Sequence, residues 1–173
     1  YRVNGNNMSE AMRVLGLYGK FSYEKEIPEQ YKFASVETRI ALMKGLLDSD
    51  GTVDKLGHIS YSTSSSKLAN DIQFVVRSLG GRCSISKKNP VYKYNGEKRK
   101  GRTSFVLNIN FGDRESSSVF TVSRHLNRLR CGFYNGRGCL HNIIASYEYV
   151  GKKQCRCIRV SSPDHLYITD DFI

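Results

Sequence analysis

The sequence predicts an α+β fold with the order helix, two strands, helix, two strands, helix. Three observations carry this expectation. Ala41 to Asp50 is apolar almost all round until it ends in Asp48 and Asp50, the pattern of a helix buried rather than amphipathic. Residues 58–64, 82–88 and 104–111 alternate apolar and polar side chains, the period of strands with one covered face. Between the first two of these, Leu68, Ile72, Val75 and Leu79 keep helical spacing.

The elements follow in chain order. Tyr1 to Asn7 is polar and turn-like, and a chain that starts with Tyr rather than Met reads as the middle of something longer. Met8, Ala11, Met12 and Leu15 share one helical face, which Gly16 and Gly19 bring to a stop. Residues 20–35 form a connector, in which Pro28 suits the first turn of a short helix reaching Phe33. Ser35 is the expected N-cap of the next helix, with Ile40, Met43 and Leu47 along one side and Leu42 and Leu46 along others. Gly45 lowers helix stability, so its presence predicts a second helix backbone passing close by. Gly51 suits a left-handed helix stop.

In the first strand region Ile59, Tyr61 and Thr63 face the core, leaving His58, Ser60, Ser62 and Ser64 on a polar open face. Ser65 or Ser66 caps the following helix, and Gly80-Gly81 ends it. Cys83 and Ile85 then point inward, with Arg82, Ser84, Ser86 and Lys88 outward. Phe105, Leu107, Ile109 and Phe111 point inward, with Ser104, Val106, Asn108 and Asn110 outward. Between these strands, Asn95-Gly96 is a strong hairpin-turn signal. Tyr92, Tyr94, Lys98, Arg99, Lys100 and Arg102 around it suit an extended loop that tracks a phosphate backbone. Val119, Val122, Leu126 and Leu129 mark a last helix, flanked by Arg124, Arg128 and Arg130. A glycine-rich break at 131–138 precedes two expected strands, Ile143 to Val150 and Cys155 to Val160, and a closing strand at 166–168.

Composition narrows the partners. Lys and Arg number 27 against 16 acids, a net charge of +11 over 173 residues. Such an excess favours a polyanion, and nucleic acid is the commonest one. No apolar run reaches membrane-spanning length, and the start does not read as a signal peptide. Five cysteines without CxxC spacing argue against a disulfide framework and for a reducing, intracellular compartment. Zinc ligation by Cys131, Cys139, His141, Cys155 and Cys157 matches no standard spacing.

The end of the 41–51 helix points to chemistry. Acids are disfavoured where the helix dipole is negative, so Asp48 and Asp50 are better explained by a cation beside them. Mg²⁺ is the natural guest, because it takes carboxylate and phosphate oxygens together.

Met43 to Gly51 resembles the LAGLIDADG motif of homing endonucleases. Lys25-Glu26-Ile27-Pro28, followed by Thr38-Arg39, resembles the segment leading into the second copy of that motif in inteins. Arg159 to Ile173 resembles the late splicing block near an intein's C-terminus. The resemblance implies four parts: a connector and helix at 1–34, one αββαββα endonuclease unit at 35–130, a linker at 131–140, and C-terminal strands of a splicing domain at 141–173. It implies metal-dependent, site-specific cleavage of double-stranded DNA, with Asp50 holding Mg²⁺ and Lys25 serving the active site. Asp48 is either a second ligand or a structural acid at the helix end. The outward set of the sheet, His58, Ser60, Ser62, Arg82, Ser84, Ser86, Lys88, Asn108 and Asn110, consists of residue types that read base edges in the major groove.

One motif supplies one acid. A second is expected from a first unit upstream of Tyr1, on a joined or separate N-terminal intein segment, with a homodimer partner as the competing source. For splicing between host exteins, the resemblance suggests His165 as a proton-transfer residue and Cys157 at a position that is nucleophilic in a variant class; a small buried thiol is its simpler role. The stretch stops at Ile173, before a terminal His-Asn pair, and lacks a leading splice-junction block, so it is expected not to splice by itself. The competing classes are a degenerate insert that binds DNA without cutting and a free single-motif homodimer.

Overall fold

The computed structural model describes residues 6–111, 118–129, 146–156, 158–164, 167–169 and 172. The elements are α1 (Asn6–Val14), α2 (Glu29–Lys32), α3 (Val36–Asp50), β1 (Gly51–Val53), β2 (Ile59–Thr63), α4 (Ser66–Ser78), β3 (Arg82–Lys88), β4 (Val91–Tyr94), β5 (Glu97–Lys100), β6 (Ser104–Asn110) and α5 (Ser123–Leu126). The α+β expectation holds.

Four strands form one antiparallel sheet in the order β1-β2-β6-β3. Alternation decides its two faces. Val53, Ile59, Tyr61, Cys83, Leu107 and Ile109 are buried beneath α3 and α4. Their neighbours Thr52, Ser62, Arg82, Ser84, Ser86 and Asn108 are exposed on the other side. Met43 and Leu47 of α3 and Leu68, Ala69, Ile72, Val75 and Val76 of α4 complete the core. Truncating a fully buried side chain such as Leu47 to Ala costs about 2–5 kcal/mol.

The caps read from sequence form. Ser35 Oγ accepts the Thr38 amide at 3.3 Å, and Ser65 Oγ accepts the Leu68 amide at 3.1 Å. The end of α4 closes at Gly80, whose φ is 78°, with the Gly81 amide returned to the Val76 carbonyl.

Other expectations are corrected. Of α3 only Met43 and Leu47 are buried, while Ala41, Gly45, Ser49 and Asp50 are exposed. A Cβ at Gly45 would meet nothing within 4 Å, so no helix crosses there among the described residues. Gly51 is not a left-handed stop: its φ is −78°, already that of β1. Glycine is needed because a Cβ would lie 2.4 Å from the Leu47 carbonyl oxygen. The basic segment around Asn95-Gly96 is an ordered hairpin rather than an extended loop. Strands β4 and β5 pair separately from the main sheet, with φ of 50° and 82° at the two turn residues, as a type I′ turn requires.

The last helix is shorter than expected, because Val119 and Phe120 are buried in a turn ahead of α5. The Thr121 and Val122 amides are turned instead toward Asp48. No strand forms among the described residues of the expected C-terminal hairpin and closing strand. Tyr147 and Tyr149 there are 96% and 86% exposed. A lone hairpin has no apolar face to bury and is marginal in water. The proposed linker, 131–140, lies outside the described residues.

Candidate functional site

The two acids that end α3 have different surroundings. Asp48 is half-buried against the chain entering α5. Its oxygens accept the Thr121 amide at 3.1 Å and the Val122 amide at 3.3 Å, and the Thr121 hydroxyl also donates to it. Burial opposes its ionisation, but these donors outweigh burial and hold the carboxyl below its usual range. The acid disfavoured by the dipole of α3 is thus matched by the amides that open α5.

Asp50, two residues on, is exposed, and among the described residues no hydrogen bond or ion pair engages its carboxylate. Its charge reaches the buried Tyr61 hydroxyl, which is pushed up to about 12, by burial first and by Asp50 second. An open carboxylate suits Mg²⁺, which uses one or two protein carboxylates and fills its shell with water and phosphate. Among the described residues no three acids, histidines or cysteines form an all-protein metal cluster.

Lys25 is carried to the same end of the sheet. Gly51, next to Asp50, pairs with Tyr61, and the Lys25 carbonyl accepts the Ser65 hydroxyl at 2.6 Å. Asp50 and Lys25 therefore border one stretch, residues 61–65. The connector around Lys25 is anchored on both sides. Glu26 pairs with Lys20 and Lys67, whose hydrogen bonds pull its carboxyl down to about 2. The Ile27 amide donates to the buried Asp71 at 2.9 Å, and Lys32 holds the other Asp71 oxygen at 3.1 Å.

The open face of the sheet is a ruled polar surface. Register aligns Thr52, Ser60, Asn108 and Ser84 in one row across all four strands. Ser62, Val106 and Ser86 form a second row, and Arg82 stands opposite Asn110. Thr52 joins this surface although alternation did not reveal it, since a three-residue strand is too short to show a period. The hydroxyl of Ser86 is partly engaged, donating to the Val106 carbonyl at 3.2 Å. His58 is held in the β1–β2 turn, its Nδ1 2.9 Å from Asp54 Oδ2, while Asp54 also takes the Leu56 and His58 amides.

Lys88 ends β3 opposite Ser104, and Lys98, Arg99 and Lys100 line the exposed hairpin beyond the sheet. The Arg99 guanidinium lies 4.7 Å from the Tyr94 ring centroid, and that of Arg102 lies 3.6 Å from the Tyr23 centroid. His165 and Cys157 lie outside the described residues, as do Cys131, Cys139 and His141; Cys155 is exposed.

Sequence reasoning also missed His125. It is buried beside Phe120, and among the described residues its Nδ1 has no hydrogen-bond partner. Burial first, then the charges of Arg124 and Arg128, hold its pKa down against the pull of Asp48. Arg128 fastens the same segment to the sheet by donating to the Val53 carbonyl at 3.0 Å. Only a map of the fold could bring His125 to Asp48, since 77 positions separate them (125 − 48).

The sequence profile of the LAGLIDADG-like domain matches residues 37–123, from the first turn of α3 into α5. The chain belongs to the LAGLIDADG-like domain family. A replicative DNA helicase DnaB of Mycobacterium intracellulare is 27% identical over 158 residues, covering 91% of this chain. The chain spans about 25% of that relative's length. Similar solved structures include a variant of the homing endonuclease I-DmoI in complex with its target DNA, at 19% identity and a TM-score of 0.34, covering 64% of this chain and 66% of that one. A mesophilic variant of I-DmoI aligns with 19% identity and a TM-score of 0.33, over 60% and 62% of the two chains. Among the described residues no helix is long and apolar enough to cross a membrane.

Proposed function

We propose that this chain is the C-terminal part of an intein-borne homing endonuclease that makes Mg²⁺-dependent, site-specific double-strand breaks in DNA inside the cell. The observation that carries the reading is the open Asp50 carboxylate at the end of the family's signature helix, beside a polar sheet face. Asp50 would hold the ion. When bound, Mg²⁺ neutralises phosphate charge and makes the attacking water more acidic. Lys25, at the same end of the sheet, opposes the charge that builds on the phosphate. Ser60, Ser62, Arg82, Ser84, Asn108 and Asn110 face the major groove, whose width accepts a β-ribbon. Lys88, Lys98, Arg99 and Lys100 follow the backbone.

The exposed Ala41–Gly45–Ser49 edge of α3 supports a second unit packed there, upstream in the same polypeptide or in a partner, bringing the second acid. The intein setting is supported by a match to a helicase of which it covers only 25%, as an inserted element would. In that setting His165 and Cys157 belong to the splicing half, between host exteins. The DNA probe is the duplex made by joining the sequences that flank the insertion in its own gene. Asp50→Asn should bind that duplex as the unaltered protein does and fail to cut it. Undiminished cutting would remove Asp50 from the reaction.

A further inference from the structure

We infer that Arg102 is a positioning residue: stacked on Tyr23, it clamps the connector that carries Lys25 to the neck of the basic hairpin. The inference deepens the cleavage reading and rests on it.

The neck is a fixed point. On either side of Arg102, the Gly101 amide donates to the Pro90 carbonyl at 2.7 Å and the Thr103 hydroxyl donates to Asn89 Oδ1 at 2.8 Å. Strand β6, beginning at Ser104, is then paired along both edges. From this base the Arg102 guanidinium carbon lies 3.6 Å from the Tyr23 ring centroid, within the range of cation–π attraction. The Phe21 ring backs Tyr23 at 5.6 Å and an interplanar angle of 5°.

Tyr23 stands two residues before Lys25. On the far side of Lys25 the backbone is held firmly, by Ser65 on the Lys25 carbonyl and by buried Asp71 on the Ile27 amide. On the near side, the contacts to the sheet and its loops among the described residues are the Arg102–Tyr23 stack and one exposed hydrogen bond, from Ser64 Oγ to Ser22 Oγ at 3.1 Å, while Lys20 pairs with Glu26 inside the connector itself. An exposed hydroxyl pair competes with water and contributes little. The stack therefore fixes the direction in which Lys25 leaves the connector. A guanidinium held over a ring at this distance also has a different task from the hairpin's Lys98, Arg99 and Lys100, which follow phosphates.

The test uses the intact polypeptide, the joined-flank duplex and single-turnover cleavage at saturating protein, with binding measured against salt. Arg102→Ala and Tyr23→Leu should each slow cleavage about tenfold to a hundredfold, the scale of a displaced catalytic group, with binding and its salt slope unchanged. Tyr23→Phe keeps the ring and should restore the rate. Both side chains lie outside the buried core, so folding is not at stake. If Arg102→Ala instead cuts at the normal rate at saturation while its salt slope falls by about one, Arg102 is a phosphate contact and the inference is overturned. Lys25→Ala separates the two claims. Full activity there removes Lys25 from the reaction, and the positioning claim goes with it; loss there together with normal Arg102→Ala cleavage overturns the positioning claim alone. Amide exchange at residues 21–25 reads the clamp without cleavage. Arg102→Ala should speed it, and unchanged exchange contradicts the clamp.

Discussion

Both carboxylate oxygens of Asp48 lie 3.1 Å from the Thr121 amide nitrogen. This contact, between residues separated by 73 positions, joins the end of α3 to the start of α5 and divides the labour of the two acids in the motif. Asp48 is tied to the segment entering α5, and Asp50 is left exposed. Asp48→Ala should therefore lower the unfolding free energy by about 2 kcal/mol, since it removes several hydrogen bonds to a charged acceptor. Thermal or urea unfolding reads this directly. An unchanged midpoint would mean the contact contributes nothing to stability.

Asp50 should show the opposite sign. It stands at the negative end of the dipole of α3 with no compensating donor among the described residues. Asp50→Asn should raise stability by about 0.5 kcal/mol, measured by denaturant titration at low salt, and the gain should shrink as salt screens the dipole. A variant less stable than the parent would show that Asp50 has a structural partner.

Gly51 makes a sharper steric prediction. Gly51→Ala places a Cβ 2.4 Å from the Leu47 carbonyl oxygen, so the α3–β1 junction must open and carry Asp50 with it. A loss of about 1–3 kcal/mol, the usual cost of a forced backbone shift, should accompany weakened cleavage. The α-helix content measured by circular dichroism should stay close to that of the parent, because the damage is local.

The legible and illegible parts of the fold separate along physical lines. Alternation in β2, β3 and β6 exposed the sheet and its faces because each strand spans five or more residues. Ser35, Ser65 and Asn95-Gly96 announced their caps and turn because those are local interactions. Gly51 was misread because glycine serves both positive φ and close approach, and the sequence cannot say which. The Asp48–Thr121 contact and the burial of His125 depend on how distant segments meet. Lys25 is a site candidate only through the family resemblance; its residue type alone suggests a solvated surface side chain.

Two buried or hydrogen-bonded groups around α5 set a pH dependence. The pKa of His125 is held below the ordinary value of 6.5, so below that pH the unfolded chain binds more protons than the folded one. Stability should fall as pH drops through 6.5 toward the lowered folded value. The contribution of Asp48 has the usual carboxylate sign: present above the ordinary carboxylate range and lost as pH falls through its lowered folded pKa. Unfolding free energies measured from pH 7.5 downward should show the histidine limb first. His125→Gln should abolish that limb while leaving the carboxylate limb in place; a limb that persists would trace to another group.

The hairpin prediction concerns affinity rather than rate. Replacing Lys98, Arg99 and Lys100 with Ala should weaken binding across all duplexes and reduce the slope of log K against log salt by about 2–3. The cleavage rate at saturation should change little. An unchanged slope would move the phosphate path off the hairpin.

The most direct measurement is Mg²⁺-dependent cleavage of the joined-flank duplex by the intact polypeptide and by its Asp50→Asn variant, with binding followed in parallel. Equal binding, cleavage by the parent, and cleavage by the variant reduced to background are expected. Equal cleavage by both, or a parent that binds the duplex without cutting it under any Mg²⁺ concentration, would contradict the proposed function.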